Sequence, residues 1–291
     1  TDWTDASLLT GHTYTTSEVT AHYYSVTGEY LQSLYHQAVT SLRNRLYSYL
    51  GVNQQNFYQF EQTAENIGEH GSKLNVKPKL LKLLVQHLKA SLRTSKRQVE
   101  GPERWRKTHN ALVSYLSFWI LFSTGFRAVN DLVFRLREID WQTGHLIISD
   151  KDSDAVSSAR MVWLPPRLQE QFKTYLLHLE ALQILASHSP TIGEHIEEIL
   201  STPRPEAALL FFISEQWHVT QLSPENLRAE VPEFTLPINL GRHYLRTHLR
   251  KLGCQAEYVN AFLGHWQHGQ DPFGEFSTLS PAALLKAMRP Y

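Results

Sequence analysis

Apolar positions near the start of the chain recur at steps of three and four residues, which is the period of an amphipathic helix. This pattern runs from Ser17 to Leu50 and predicts two helices that break at Gly28. The stretch from Gly51 to Gly71 is polar and predicts a short helix followed by a connection between domains. We therefore expect a helical N-terminal domain over residues 1–72.

The remaining chain, residues 73–291, combines helical periods with a short alternating region. Helices are predicted over Lys77–Leu92, Glu103–Phe122, Leu168–Ser187, Ile192–Leu200, Leu240–Lys251 and Ala256–Phe262. Three short strands are predicted at Arg135–Asp140, His145–Ser149 and Ala159–Leu164, with a hairpin turn at 142–144 between the first two. The apolar segment Leu209–Ser214 fits either a strand or a helix. The expected fold class is mainly α with one small antiparallel β-sheet.

Charge is balanced over the whole chain but uneven along it. Twenty-eight Lys and Arg balance twenty-eight Asp and Glu, so composition alone does not indicate a nucleic-acid-binding protein. Between Lys73 and Lys107, however, eleven Lys and Arg stand against two Glu, which leaves a net charge of +9. Such a run is either a solvated helical face or a surface that follows a phosphate backbone.

Other features limit the classes of protein to consider. Cys254 is the only cysteine, so an intrachain disulfide is excluded and a reducing cytoplasm is favoured. The most apolar stretch, Ala111–Phe126, is too short for a membrane span and predicts a buried helix. The sequence begins at Thr1 without a recognisable leader, so we expect a portion of a longer protein.

Four short segments carry the informative chemistry. Thr124-Gly125-Phe126-Arg127 follows the apolar helix, and Lys151 lies in a polar turn after a strand. His243 and Arg246 are three residues apart and share one helix face. His265 follows Leu263-Gly264 at the end of another predicted helix.

Two arginines, one lysine and two histidines suit a phosphodiester. Guanidinium groups bind non-bridging phosphate oxygens in a bidentate manner, so Arg127 and Arg246 would form a clamp. Lys151 would supply a proton to a leaving alkoxide, and His243 would exchange a proton with the attacking hydroxyl. Cations already neutralise the charge of the transition state, so this chemistry needs neither a metal nor another cofactor.

From about Lys73 to the C-terminus these motifs resemble the tyrosine recombinase (phage integrase) family, which is related to type IB topoisomerases. The family order is a Thr-Gly-x-Arg box (124–127), a lysine in the small-sheet turn (151), a His-x-x-Arg helix (243–246) and Leu-Gly-His (263–265). The resemblance implies a helical core-binding domain and a mixed catalytic domain, residues 73–291, that close as a clamp around DNA.

The family roles transfer to the matching positions of this chain. The resemblance implies that Arg127 and Arg246 bind phosphate, that Lys151 is the general acid, that His243 is an acid/base and that His265 is a phosphate ligand. It further implies site-specific recombination through a 3′-phosphotyrosyl intermediate. Phage integrases, transposon or genomic-island recombinases and telomere resolvases, which act on mobile genetic elements or telomeres, all fit these motifs.

Two positions depart from the family pattern. The carboxylate expected three residues after Arg127 is replaced by Asn130, with Asp131 next to it. The nucleophilic tyrosine is also missing, since no tyrosine lies between Tyr258 and Tyr291. Phe276 is the best candidate for the nucleophile position, because it precedes a predicted helix start at Ser280-Pro281; Phe273 is the second. Without a hydroxyl, phenylalanine cannot form a phosphotyrosyl bond.

Three explanations for the missing tyrosine stay open. An introduced Tyr→Phe change would leave a recombinase that binds DNA without cutting it. Natural loss of the nucleophile would leave a DNA-binding accessory protein on the same fold. Tyr291 could act as nucleophile, although it lies far from His265 in sequence.

The same residues also allow simpler interpretations. Arg127 could be a surface arginine after a helix cap, Lys151 a solvated lysine and His243 a core histidine. His265, His268 and Asp271 could suggest a metal site, but they do not provide a secure ligand spacing. Arg242 and Arg246 beside His243 argue against a buried apolar setting for that histidine.

The partners expected from the resemblance are a double-stranded DNA site, further copies of the chain in a dimer or tetramer on DNA, and accessory proteins. DNA-backbone contacts are predicted for six cations: Lys96, Arg97, Arg104, Arg106, Lys107 and Arg242. The first five lie in or beside the connection between two predicted helices, which would run along the DNA backbone. We expect no membrane partner and a cytoplasmic, nucleoid-associated location.

Overall fold

A computed structural model gives the fold. It describes residues 3–12, 20–50, 68–98, 101–127, 135–149, 159–185, 189–201, 203, 205–265, 272, 277 and 279–291. The chain forms two compact units, Thr1–Asn75 and Val76–Tyr291. The contacts thus divide the chain between Asn75 and Val76, whereas the sequence placed the domain boundary between Ser72 and Lys73.

The described residues of the first unit form helices and one two-stranded sheet. Its elements are α1 (Trp3–Thr10), β1 (Ser25–Thr27), α2 (Gly28–Leu50) and β2 (Glu69–Gly71). The predicted break at Gly28 is confirmed, because α2 begins there. In the segment before it, residues 20–23 are helical as predicted, whereas residues 25–27 form β1, which pairs antiparallel with β2. Most of the polar stretch predicted as a helix and connection, residues 51–67, lies outside the described residues.

The second unit is built on helices. They are α3 (Pro78–Gln98), α4 (Gly101–Thr124), α5 (Pro166–Leu185), α6 (Pro190–Ser201), α7 (Pro224–Glu230), α8 (Leu240–Lys251), α9 (Ala256–Leu263) and α10 (Pro281–Met288). The predicted helix start at Ser280-Pro281 is confirmed, with the Ser280 hydroxyl accepting a hydrogen bond from the Ala283 N–H. The mainly α fold class is confirmed.

Two small antiparallel sheets accompany these helices in the second unit. One has the order β3 (Ile139–Asp140), β4 (His145–Ser149) and β5 (Ala159–Trp163). The other pairs β6 (Phe211–Ile213) with β7 (Val219–Gln221), which resolves the ambiguous apolar segment as a strand. The expectation of one small sheet was therefore wrong. Strands of three residues are too short to produce a readable alternation of polar and apolar positions.

Helix α4 runs through the core of the second unit, as its apolar sequence predicts. Val113, Leu116 and Ile120 are fully buried, and the Ser117 hydroxyl donates to the Val113 carbonyl at 2.7 Å. Within the described ranges no helix is long and apolar enough to cross a membrane.

Gly241 lets α8 approach α4 closely. A Cβ at this position would lie only 2.2 Å from the Leu121 carbonyl oxygen, so a larger residue would push the helices apart. The close crossing brings the start of α8 beside the end of α4, where two of the sequence motifs lie.

Candidate anion site

The first motif forms a tight turn at the end of α4. Gly125 adopts a φ of +61°, a left-handed conformation that favours glycine. A Cβ there would also lie 2.6 Å from the Leu263 Cδ2 atom. Glycine thus allows the turn to pack against the end of α9, and the partly exposed Arg127 follows two residues later.

Helix α8 carries three of the predicted site residues on its inner side. Arg242, His243 and Arg246 are all buried. His243 is thus buried, but on a helix that buries two arginines with it, so the structure does not contradict the argument against an apolar setting. Buried guanidinium groups are tolerated where the fold supplies hydrogen-bond acceptors, and Asn260 Oδ1 accepts from Arg246 Nη1.

The end of α9 positions His265. The Gly264 N–H bonds to the Ala261 carbonyl at 3.3 Å, and the His265 N–H bonds to the Asn260 carbonyl at 2.9 Å. These are the two bonds of a Schellman motif, which ends a helix at a glycine. Asn260 therefore fixes the backbone of His265 and, through its side chain, the guanidinium of Arg246.

Arg242 joins the Gly125 turn to the end of α9. Its Nη1 donates to the Gly125 carbonyl at 3.0 Å, and its Nη2 donates to the Leu263 carbonyl. Its Nε and Nη2 lie 3.2 and 2.9 Å from His265 Nε2. The sequence analysis placed Arg242 at the DNA backbone, but its guanidinium is buried and bonded inside the protein.

Arg160 is a site residue that the sequence analysis missed. It lies on β5, and its Nη1 donates to the Thr124 carbonyl at 3.0 Å and the Phe262 carbonyl at 2.6 Å. Its Nη2 donates to the Gly125 carbonyl at 2.9 Å. One signal could have revealed it: Arg160 alternates with the buried Val162 and Leu164, so it occupies an inward-facing position of the strand.

These side chains form one buried cluster. Their exposed fractions are 3% for Arg160, 3% for Arg242, 2% for His243, 0% for Arg246 and 7% for His265. Arg160 and Arg242 both donate to backbone carbonyl oxygens, and Arg242 also donates to the imidazole of His265.

The electrostatics of the cluster converge on His265. Burial first, and then the positive charges of four arginines, hold the pKa of His265 well below its usual value. Those arginines are, in decreasing order of effect, Arg242, Arg246, Arg160 and Arg127. The imidazole is therefore neutral at neutral pH and lies in a positive potential, which suits an anion.

A metal ion fits this arrangement poorly, because guanidinium charges around His265 repel a cation. Among the described residues no group of three His, Cys, Asp or Glu side chains could hold a metal. His268 and Asp271, the other members of the candidate metal site, lie outside the described residues.

Several predicted residues cannot be compared with this geometry. Lys151 and the nucleophile candidates Phe276 and Phe273 lie outside the described residues, as do Asn130 and Asp131. Among the residues of the resemblance, the structure therefore places the charges of Arg127 and Arg246 near His265 and buries His243 on the same helix as Arg246.

The other predicted DNA contacts lie at the facing ends of two helices rather than along a connecting loop. Lys96 and Arg97 end α3, while Arg104, Arg106 and Lys107 begin α4. All are exposed except Arg106, which is half-buried and bonded through its Nε to Glu103 at 2.9 Å. Lys107 Nζ lies 3.7 Å from the same carboxylate.

Comparison with known proteins adds no relative: neither a protein-family model nor a curated protein matches the chain.

Proposed function

We propose that this chain is a DNA-binding protein of the tyrosine recombinase type, whose cluster of arginines and histidines holds a phosphodiester of duplex DNA. One observation carries the proposal. Motifs that are far apart in the chain converge: Arg242 bonds both the Gly125 turn and His265, Asn260 holds Arg246, and the charges of four arginines act on one imidazole. Gathering four guanidinium charges around a buried position costs free energy through mutual repulsion and desolvation, and a bound anion would offset that cost.

A phosphodiester suits the chemistry of these side chains. Guanidinium groups present paired N–H donors that match two phosphate oxygens, and a phosphoryl-transfer transition state spreads charge over such oxygens. The Asn260 side chain holds Arg246 in place, so its orientation is set before an anion arrives. Arg127, the partly exposed member, would make the first contact with a DNA strand.

Exposed cations in the same unit favour DNA over a small phosphate. Lys96, Arg97, Arg104 and Lys107 form a basic surface at the facing ends of α3 and α4. Cations on a surface fix the position of a nucleic-acid backbone without reading its sequence. A free phosphate would leave these residues without a role.

In the proposed reaction, a tyrosine oxygen attacks the phosphorus, the 5′-oxygen of the next nucleotide leaves, and a 3′-phosphotyrosyl bond forms. His243 would handle the proton of the attacking hydroxyl, and Lys151 would protonate the leaving oxygen. Phe276 has no hydroxyl to attack with. We therefore expect the chain, with phenylalanine at the nucleophile position, to bind DNA and leave it uncut.

Covalent capture tests this proposal. A bound site is first selected from a random-sequence duplex library and then prepared with a nick, so that a cut strand cannot be religated. We expect no adduct from the unchanged chain and a covalent protein–DNA adduct from Phe276→Tyr. Phe273→Tyr is the matched control. An adduct from the unchanged chain would overturn the assignment of the missing nucleophile.

The second candidate function is DNA binding without strand transfer, in DNA architecture or regulation. Phe276 favours it, because an accessory protein needs no nucleophile. This candidate predicts that Phe276→Tyr and Phe273→Tyr both bind the selected site and both fail to form an adduct.

A further inference from the structure

The contact between Arg242 and His265 fixes the proton of the imidazole. Arg242 Nη2 lies 2.9 Å and Nε 3.2 Å from His265 Nε2. A guanidinium group has N–H donors and no acceptor. His265 Nε2 must therefore accept, and its lone pair must be unprotonated.

The imidazole proton then belongs on Nδ1. A neutral histidine carries one N–H, and the nitrogen that accepts a hydrogen bond cannot carry it. In the opposite tautomer the Nε2–H would face two guanidinium N–H groups of Arg242, and hydrogen-bond donors repel one another. The low pKa that burial and the surrounding arginines impose on His265 excludes the doubly protonated ring at neutral pH.

Arg242 is itself held rigidly. Two further bonds, to the carbonyls of Gly125 and Leu263, anchor it to the turn before Arg127 and to the residue preceding Gly264. The backbone of His265 is fixed independently by its bond to the Asn260 carbonyl at 2.9 Å. Ring orientation and proton position are therefore set together.

We propose that Arg242 is a positioning residue that fixes His265 as the neutral Nδ1–H tautomer, and that this N–H donates to a non-bridging oxygen of a bound phosphodiester. The second half rests on the proposed function. It gives His265 the role of a neutral hydrogen-bond donor, so proton transfer is left to His243 and Lys151.

Nitrogen NMR of the DNA-free chain tests the first half. Long-range ¹H–¹⁵N spectra distinguish a protonated ring nitrogen from an unprotonated one, and loss of signals in His265→Asn assigns the ring. We expect a protonated Nδ1 and an unprotonated Nε2 at neutral pH. A protonated Nε2, alone or in an imidazolium, would overturn the proposal.

Two arginine variants separate positioning from general support. Arg242→Met removes the donors at Nε2, so we expect the Nε2–H form to become populated. Arg160→Met is the matched control, because Arg160 is equally buried, bonds the same Gly125 carbonyl and donates to the backbone carbonyls of Thr124 and Phe262. It should keep the Nδ1–H form. Equal spectra for both variants would contradict the role of Arg242; if Arg242→Met does not fold, the spectrum of the unchanged chain still decides.

Two histidine variants test the phosphate contact. The amide nitrogen of asparagine lies near the position of Nδ1, and that of glutamine near Nε2. Against the selected duplex, we expect His265→Asn to bind within about threefold of the unchanged chain and His265→Gln at least tenfold more weakly. The reverse order, or equal losses, would overturn the phosphate contact. If the unchanged chain binds no DNA, the proposed function fails with that contact, while the NMR result still decides the tautomer.

Discussion

Gly125 lies in the turn that carries Arg127, and both its backbone conformation and its close packing require a glycine. Its φ is positive, and its α-carbon packs against the Leu263 side chain. The carbonyl of the same residue accepts from both Arg160 and Arg242. A single small residue therefore links α4, β5, α8 and the end of α9.

Gly125→Ala should destabilise the protein by about 2–5 kcal/mol, the sum of left-handed strain and overpacking. Gly253→Ala is the matched control, because Gly253 has a φ of +88° but open space around its α-carbon. It should cost about 1–2 kcal/mol from backbone strain alone. Urea unfolding measures both; equal losses would show that the contact with Leu263 contributes nothing.

A pair of hydrogen-bonded histidines, one buried and one half-buried, makes stability depend on pH. His109 Nε2 donates to the Phe211 carbonyl at 2.9 Å, so its Nδ1 accepts from His178 Nε2 at 3.2 Å. Burial, followed by the neighbouring charge of His178, lowers the pKa of His109 to about 3. Burial, followed by the charge of Lys96, lowers the pKa of His178 to about 4. Both rings are therefore neutral at neutral pH.

Because the unfolded chain protonates these rings below about pH 6.5, it binds more protons than the folded chain between that value and the folded pKa values. The contribution of these two histidines to the free energy of unfolding should be complete above about pH 6.5. It should fall as the pH drops towards 4. Urea unfolding at several pH values measures it. His178→Gln keeps a donor for His109 and should reduce the slope. The lowered pKa values of His195 and His265 also make stability fall as the pH drops, so His178→Gln should reduce this dependence without abolishing it. If the dependence of unfolding free energy on pH is unchanged in His178→Gln, the contribution of His178 is contradicted.

The facing ends of α3 and α4 carry both exposed cations and a cation that is paired with a carboxylate. Arg104 is exposed, whereas Arg106 is half-buried and bonded to Glu103. The Arg106 hydrogen bond is the first cause that lowers the pKa of the Glu103 carboxyl. Only the exposed cation is ready to release counterions from a DNA phosphate.

A plot of the logarithm of the DNA-binding constant against the logarithm of the salt concentration has a negative slope. Arg104→Gln should reduce the magnitude of this slope by about 1, the value for one lost phosphate contact. Arg106→Gln should change it much less. Fluorescence anisotropy of a labelled duplex at several salt concentrations measures both slopes. Equal changes would show that Glu103 does not withdraw Arg106 from DNA.

Elements that are determined by residues close together in the sequence could be predicted, whereas features that depend on tertiary contacts could not. Leu240–Lys251 is predicted with both bounds correct, and the turn at Gly125 follows from a glycine after an apolar run. The pairing of β6 with β7 and the inward position of Arg160 depend on tertiary partners. Thr124 and Phe262, whose carbonyls bind Arg160, lie far from it in sequence. No local pattern specifies such partners.

At the scale of the whole molecule, zero net charge is compatible with a concentrated positive site. The net charge of +9 between Lys73 and Lys107 lies on α3, the start of α4 and the residues beside them, and the remaining chain carries the opposite charge. Affinity for DNA of arbitrary sequence should therefore be modest and sensitive to salt. Most of the binding free energy at a preferred site would come from the buried cluster and from contacts to bases.

The most direct test of the account is the DNA affinity of Arg127→Gln. Arg127 is partly exposed, so its replacement should leave the fold intact, and loss of one charged hydrogen bond costs about 1.5–3 kcal/mol. The selected duplex should then bind at least tenfold more weakly. Arg137→Gln, at an exposed arginine paired with Glu206, is the matched control and should bind as the unchanged chain does. Equal affinities for Arg127→Gln and the unchanged chain would contradict a phosphodiester in the cluster.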